Sequence, residues 1–186
     1  DGAFTQYAVN HVNTLVRVPD FMSDEEATLI VTAGTAMYGL DVLGGLVAGQ
    51  SLVVTGAGPI GLLGVAVGKA LGAAPVILTD IVDGRLEIGR KLGADYLINA
   101  ANEPAVEAVK NANGGRGVNF VLECSGAPNA VNDAIHMVNR GGRVCLSAFS
   151  HGLASVDTKH IVANNIYLYG IRGEGQSAVR RAASLM

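Results

Sequence analysis

Six consecutive residues, Gly56-Ala57-Gly58-Pro59-Ile60-Gly61, carry the first chemical signal in the chain. A glycine at the first of these positions permits a tight turn. One at the third leaves no side chain in the path of a pyrophosphate, and one at the sixth lets a helix pack closely on a strand. Pro59 stands where a helix would begin, where its missing N–H is no loss. The free N–H groups near Ile60 and Gly61 would then face phosphate oxygens with the helix dipole behind them. The spacing alone is weak, because a chain with 25 glycines produces it by chance. Its setting gives it weight: the β-branched run SLVVT precedes it, and IGLLGVAVGKALG, apolar at helical spacing, follows.

An acid about 20 residues further on, at the end of the next strand, is the second element of a dinucleotide site. Asp80 closes VILTD at that distance. A carboxylate there accepts hydrogen bonds from both ribose hydroxyls and repels a 2'-phosphate, which favours NAD over NADP. Arg85 is expected over the adenine or ribose; a guanidinium there could also meet a phosphate. Asp83 is a rival acid, expected in the loop after the strand. Ligands of such sheets lie across the carboxyl ends of the strands. Ser125 and Gly126 after the fourth strand, and Ser147, Ala148 and Phe149 after the fifth, are therefore expected to edge the cofactor trough.

No catalytic group emerges from the residues. His11, His136, His151 and His160 form no HExxH and no Cys–His cluster, and GxSxG is absent. His136 reads as a helix residue, while His151 follows the fifth strand closely enough to approach a cofactor. Neither Tyr38 nor the pair Tyr167 and Tyr169 has a lysine at a proton-relay spacing. Cys124 and Cys145 read as buried thiols in strands, without a CxxC, so no metal site is assigned. Two such thiols fit a reducing cytoplasm.

These residues need a scaffold, and the pattern supplies one. Strands are expected at 51–56, 75–79, 95–98, 118–124, 143–148 and 166–171. Helices are expected at 60–72, 84–92, 103–112 and 128–139, with a last one from about Gln176. Segment 150–165 reads as loop with a short helix. Ser23 followed by Glu26 is a capping box, so a helix should start at Asp24 and run to about Leu46, with a break near Gly34. The first 22 residues read as strand and loop. Alternating strands and helices imply parallel strands with right-handed crossovers. Six of them make the α/β doubly wound, Rossmann-type sheet, with strand order 3-2-1-4-5-6.

Bulk composition narrows the function classes. Hydrophobic residues make up 49% and charged residues 16%, with a formal net charge of -3. No basic stripe and no Trp point to nucleic acid. The charge-free run from Val42 to Gly68 is long enough to cross a bilayer. It holds eight glycines and a proline in strand–turn–helix order, so it does not read as a membrane span. No signal peptide is seen at the N-terminus. The lack of an initiator Met and the helical pattern still running at the last residue read as cut ends.

The segments GAFTQYAVN, VPDFMSDEEATLI, GAGPIGLLGVAVGKALGA, VILTDIVDGRLEIGRKLGADYLIN and VNFVLECSGAP together resemble the medium-chain, zinc-dependent alcohol and polyol dehydrogenases, including sorbitol and threonine dehydrogenases. The resemblance implies residues 1–22 as the end of a GroES-like catalytic domain and 23–186 as an NAD-binding domain. It implies hydride transfer between an alcohol carbon and nicotinamide in the parent enzyme, with a small alcohol or polyol as substrate and no turnover by this portion alone. The family's zinc ligands would lie upstream of Asp1, and a further ligand position aligns near Thr32, a poor zinc ligand. No zinc is therefore carried over to this chain. Thr35 and Ala36 would fall near the nicotinamide. The resemblance further implies a homodimer or homotetramer paired through 165–173. Two alternatives stay open: an NADPH-dependent, zinc-free quinone or enoyl reductase domain, and a dinucleotide-binding module without chemistry.

Overall fold

A computed structural model describes residues 5–150, 152–173 and 175–186. Six parallel strands form one sheet: β1 (Leu52–Thr55), β2 (Val76–Asp80), β3 (Tyr96–Asn99), β4 (Val118–Glu123), β5 (Val138–Leu146) and β6 (Tyr167–Gly170). Their order is β3-β2-β1-β4-β5-β6, as the alternation predicts. Eight α-helices accompany them among the described residues: α1 (Asp24–Ala27), α2 (Ile30–Asp41), α3 (Pro59–Ala70), α4 (Asp83–Lys91), α5 (Ala105–Ala112), α6 (Ala130–Met137), α7 (Thr158–Asn164) and α8 (Gln176–Ala183).

The sheet is buried on both faces, which explains strands that are apolar at successive positions. Leu52 and Val54 of β1, Val76 and Leu78 of β2, and Phe120 and Leu122 of β4 pack into one core with residues of α2, α3, α4 and α8. The intervening Val53, Ile77 and Val121 point the other way, into a second core with α5 and α6. Each such side chain taken fully from water contributes about 1.5–3 kcal/mol. The central strands β1 and β4 therefore fix the register on which the site depends.

The capping box forms as expected: Ser23 Oγ accepts from the Glu26 amide at 3.2 Å, and Glu26 Oε2 accepts from the Ser23 amide at 2.9 Å. The helix it starts does not run through to Leu46. It stops at Ala27, and α2 begins at Ile30, so the break lies at Thr28–Leu29 rather than at Gly34. Gly34 serves packing instead: a Cβ there would lie 2.7 Å from Val179 Cγ2, so its absence lets α8 press onto α2.

Two other expectations change. No strand occurs among described residues 5–22, where the sequence alternates. The segment holds a 3-10 turn at Val12–Thr14, and Tyr7 and Val9 stand in solvent. An alternating stretch without a neighbouring strand leaves its backbone groups unpaired and gains nothing from being extended. Val16 and Met22 tie it down, packed against Ile30, Val179 and Ala183. The helix expected at 128–139 ends at Met137, because Val138 already pairs with Val118 of β4. The ladder then breaks and resumes at Phe120 opposite Arg143, leaving 139–142 as an excursion within β5. Among the described residues no helix is long and apolar enough to cross a membrane.

Candidate functional site: a cleft at the carboxyl ends of the strands

The strand order reverses between β1 and β4, and a crevice forms where neighbouring crossovers leave on opposite faces. A cleft of roughly 380 Å³ opens there, lined from β1 by Thr55 and Gly56, from β2 by Thr79 and Asp80, and from the end of β4 by Cys124 and Ser125. Gly58, Arg85, Asn129 and Asp133 complete much of the wall.

The turn after β1 shows what each glycine does. Gly56 has φ 87, and a Cβ on it would stand 2.8 Å from the Ser125 Cα. Any other residue would be strained there and would push the β1 turn off the β4 turn. Gly61 lies in the first turn of α3, and its Cβ would overlap the Gly56 carbonyl oxygen at 1.8 Å. Gly58 differs from both. Its φ of -76 suits any residue, and a Cβ there would meet no protein atom within 4 Å. The space in front of Gly58 is therefore left open by the protein.

Gly58 is the N-cap of α3 and offers no side-chain cap; Pro59 opens the helix, and the Leu62 amide makes the first bond, to the Gly58 carbonyl at 2.9 Å. The amides of Ile60 and Gly61 precede that bond and have no partner inside the helix. Asp80 is fixed in the cleft wall. Its Oδ2 accepts from the Ala57 amide at 2.6 Å and its Oδ1 from the Val82 amide at 2.9 Å. One carboxylate thus ties the glycine turn to the loop after β2. Arg85 is exposed on the first part of α4 and reaches the same cleft. Asp83 does not sit in the loop, as expected, but opens α4, where its Oδ1 accepts from Asn99 Nδ2 at 2.6 Å.

The other predicted site residues fall into two groups. Gly56, Gly58, Asp80, Arg85 and Ser125 share the cleft wall, with Pro59, Ile60 and Gly61 continuing from it into α3. Gly126, Ser147, Ala148 and Phe149 lie beside it, at the ends of β4 and β5. A Cβ on Gly126, which has φ 67, would come 2.7 Å from the Phe149 carbonyl oxygen. Ser147 turns inward: its Oγ donates to the Glu123 carbonyl at 2.8 Å and lies 3.2 Å from Cys124 Sγ. Phe149 projects into solvent. His151 lies outside the described residues, and His136 is a helix residue as expected, stacked on His160 with ring centroids 4.2 Å apart.

Sequence reasoning missed Glu123, whose side chain is almost completely buried, 1% exposed, at the end of β4. A carboxylate closing the apolar run VNFVL was the available signal. Asp133 was also missed. Burial raises its carboxyl above the ordinary range, opposed by His136. Burial also pushes the Cys124 thiol up to about 12, so it stays protonated and is a poor nucleophile at neutral pH.

Residues 59–186 match the family described as zinc-binding dehydrogenase. The chain is 41% identical over 174 residues to the L-threonine 3-dehydrogenase of Pyrococcus abyssi, covering 93% of this chain and 49% of that protein. It is 35% identical over 172 residues to the sorbitol dehydrogenase of Bacillus subtilis, covering 92% and 48%. Among solved structures, a 2R,3R-butanediol dehydrogenase from Bacillus subtilis superposes with a TM-score of 0.83 at 26% identity, over 91% of this chain and 48% of that one. A short chain alcohol dehydrogenase from Escherichia coli CFT073, complexed with the cofactor NADH, superposes with a TM-score of 0.88 at 26% identity, over 99% and 54%. The chain thus spans about half the length of the curated relatives it matches.

Proposed function

Because the chain belongs to the zinc-binding dehydrogenase family of medium-chain alcohol and polyol dehydrogenases, we propose that it is the cofactor-binding portion of an NAD-dependent member. The parent would pass a hydride between the carbon of a small alcohol or polyol and nicotinamide. The observation that carries the reading is the open space at Gly58 beside the uncapped start of α3, with Asp80 held at the next strand end.

The residues present fit a dinucleotide. The amides of Ile60 and Gly61 would donate to the pyrophosphate, with Gly58 and Pro59 bringing the backbone close, and Gly56 holding the turn. Asp80 has a second lone pair on each oxygen free for ribose hydroxyls. Its charge opposes a 2'-phosphate. Arg85 would lie over the adenosine end, and Ser125, Gly126, Ser147, Ala148 and Phe149 would border the trough towards the nicotinamide. NAD, when bound, supplies the hydride acceptor; this chain grips and orients it.

Zinc does not fit the residues in hand. Among the described residues no group of three or more His, Cys, Asp or Glu could hold a metal. Thr32, the position aligned with a ligand, is a hydroxyl within α2.

The proposal extends to organisation. Residues 1–22 would be the end of a GroES-like domain, and 23–186 the cofactor domain. Strand β6 lies at the edge of the sheet, paired on one side to β5. An unpaired edge invites a second copy, so 165–173 would join two subunits of a homodimer or homotetramer. Two free thiols support a cytoplasmic setting. Fluorescence titration with NADH and NADPH tests the core of the reading. Binding of NADH in preference to NADPH, without alcohol oxidation by this chain alone, is the expected result. A preference for NADPH would favour a zinc-free quinone or enoyl reductase domain, and binding of neither would favour a purely structural module of this fold.

A further inference from the structure

Glu123 is the one acid of the core among the described residues, and its partners share a location. Its Oε1 accepts from the Ser125 amide at 2.7 Å, the Ser125 hydroxyl at 2.5 Å, the Gly126 amide at 3.1 Å and the Thr55 hydroxyl at 3.3 Å. Thr55 ends β1 immediately before the glycine turn, and Ser125 begins the turn after β4. Both line the cleft. One buried oxygen therefore gathers donors from the two strand ends that flank the crevice.

A carboxylate in such a place is costly unless its hydrogen bonds are satisfied. Packing does not require it, since the rest of β4 alternates apolar residues into the two cores. What the charge provides is shape. Bonds to an ionised acceptor are shorter and stronger than neutral ones. Here they bend the chain after β4 so that Ser125 lies against Gly56, where no Cβ could fit.

We propose that Glu123 is a positioning residue for the dinucleotide. It does not touch the ligand, but it holds the 125–126 turn and the end of β1 in the geometry that binds. The inference rests on the dinucleotide reading above. Replacing the carboxylate by an amide of the same shape removes the charge, and with the amide oxygen in the place of Oε1 the four bonds remain as weaker, neutral ones.

The test is Glu123→Gln in the full chain, read by NADH titration and by hydrogen exchange of the free protein, well below the melting temperature. Exchange at 123–127 should rise. NADH should bind about tenfold more weakly, the scale of the difference between one charge-assisted bond and a neutral one. Unchanged affinity with unchanged exchange at 123–127 would overturn the positioning role while leaving the dinucleotide reading intact. A merely structural role would lower the melting temperature but leave the folded protein's affinity unaltered, which also overturns it. If the unsubstituted chain binds no NADH, both fall. Should Glu123→Gln lack a cooperative melt, Thr55→Val decides by the same titration. It deletes one donor and keeps the carboxylate, and about threefold weaker binding is expected from its single long bond. Wild-type affinity in that variant would refute the role.

Discussion

Gly58→Ala separates the two jobs a glycine can have at a helix start. Its φ of -76 and ψ of -179 are accessible to alanine, and the added methyl meets no protein atom within 4 Å. Two small terms act on the free protein. Alanine is a worse N-cap than glycine by roughly 0.5–1 kcal/mol. It also restricts the unfolded chain, which favours the native state by about 0.4–1 kcal/mol. They nearly cancel, so thermal or urea unfolding should move by no more than about 0.5 kcal/mol. Binding should not be spared. A methyl in that open space keeps a diphosphate from the Ile60 and Gly61 amides. Each lost bond to a charged group is worth about 1.5–3 kcal/mol. Loss of one or both predicts NADH affinity weakened by about ten- to several-hundredfold. The assay is NADH fluorescence titration beside a urea melt of the same preparation. Wild-type affinity in a normally folded Gly58→Ala protein would mean that no phosphate approaches this turn. A large stability loss would mean that the space in front of Gly58 serves the fold.

Gly61→Ala should behave oppositely, since its methyl would overlap the Gly56 carbonyl oxygen at 1.8 Å; overpacking against backbone predicts about 1–3 kcal/mol lost in a urea melt even without ligand. Asp80→Asn removes the charge that opposes a 2'-phosphate, and the ratio of NADH to NADPH affinity should fall by about tenfold in paired titrations. Burial pushes the Cys124 and Cys145 thiols from 9.0 to about 12, and burial also raises Tyr169. The unfolded chain therefore loses these protons first. Their contribution to stability should be constant below about pH 9 and decline as pH rises towards 12. Urea melts across that range would check it, and Cys124→Ala with Cys145→Ala should flatten the decline.

Where the sequence carried its own physical reason, it was legible. The strands that pack on both faces announce themselves through unbroken apolar runs such as VVT and VIL, and the glycine turn and Asp80 follow from fixed spacings along one β–turn–α–β unit. The break at Thr28–Leu29 was not legible. No proline or glycine marks it, and α2 is set by its contact with α8, about 140 positions away in the chain. Segment 5–22 misled because alternation describes a preference that only a partner strand can fulfil. The excursion at 139–142 depends on the register of β5 against β4, which no local pattern encodes. Glu123 escaped notice because one of its donors is brought from Thr55, 68 positions earlier, and its burial depends on the strands around it.

The carboxylate of Asp80 stands clamped between two main-chain amides of its own chain. Its rotamer is chosen during folding, so a nucleotide arriving there need not freeze that side chain. Holding one flexible group still on association typically costs about 0.5–1.5 kcal/mol. If Asp80 grips the ribose as proposed, that loss would be absent at this position, and discrimination between sugars with and without a 2'-phosphate would be a matter of fixed charge rather than of induced fit. A receptor of this kind would answer quickly and alike to every nucleotide it admits.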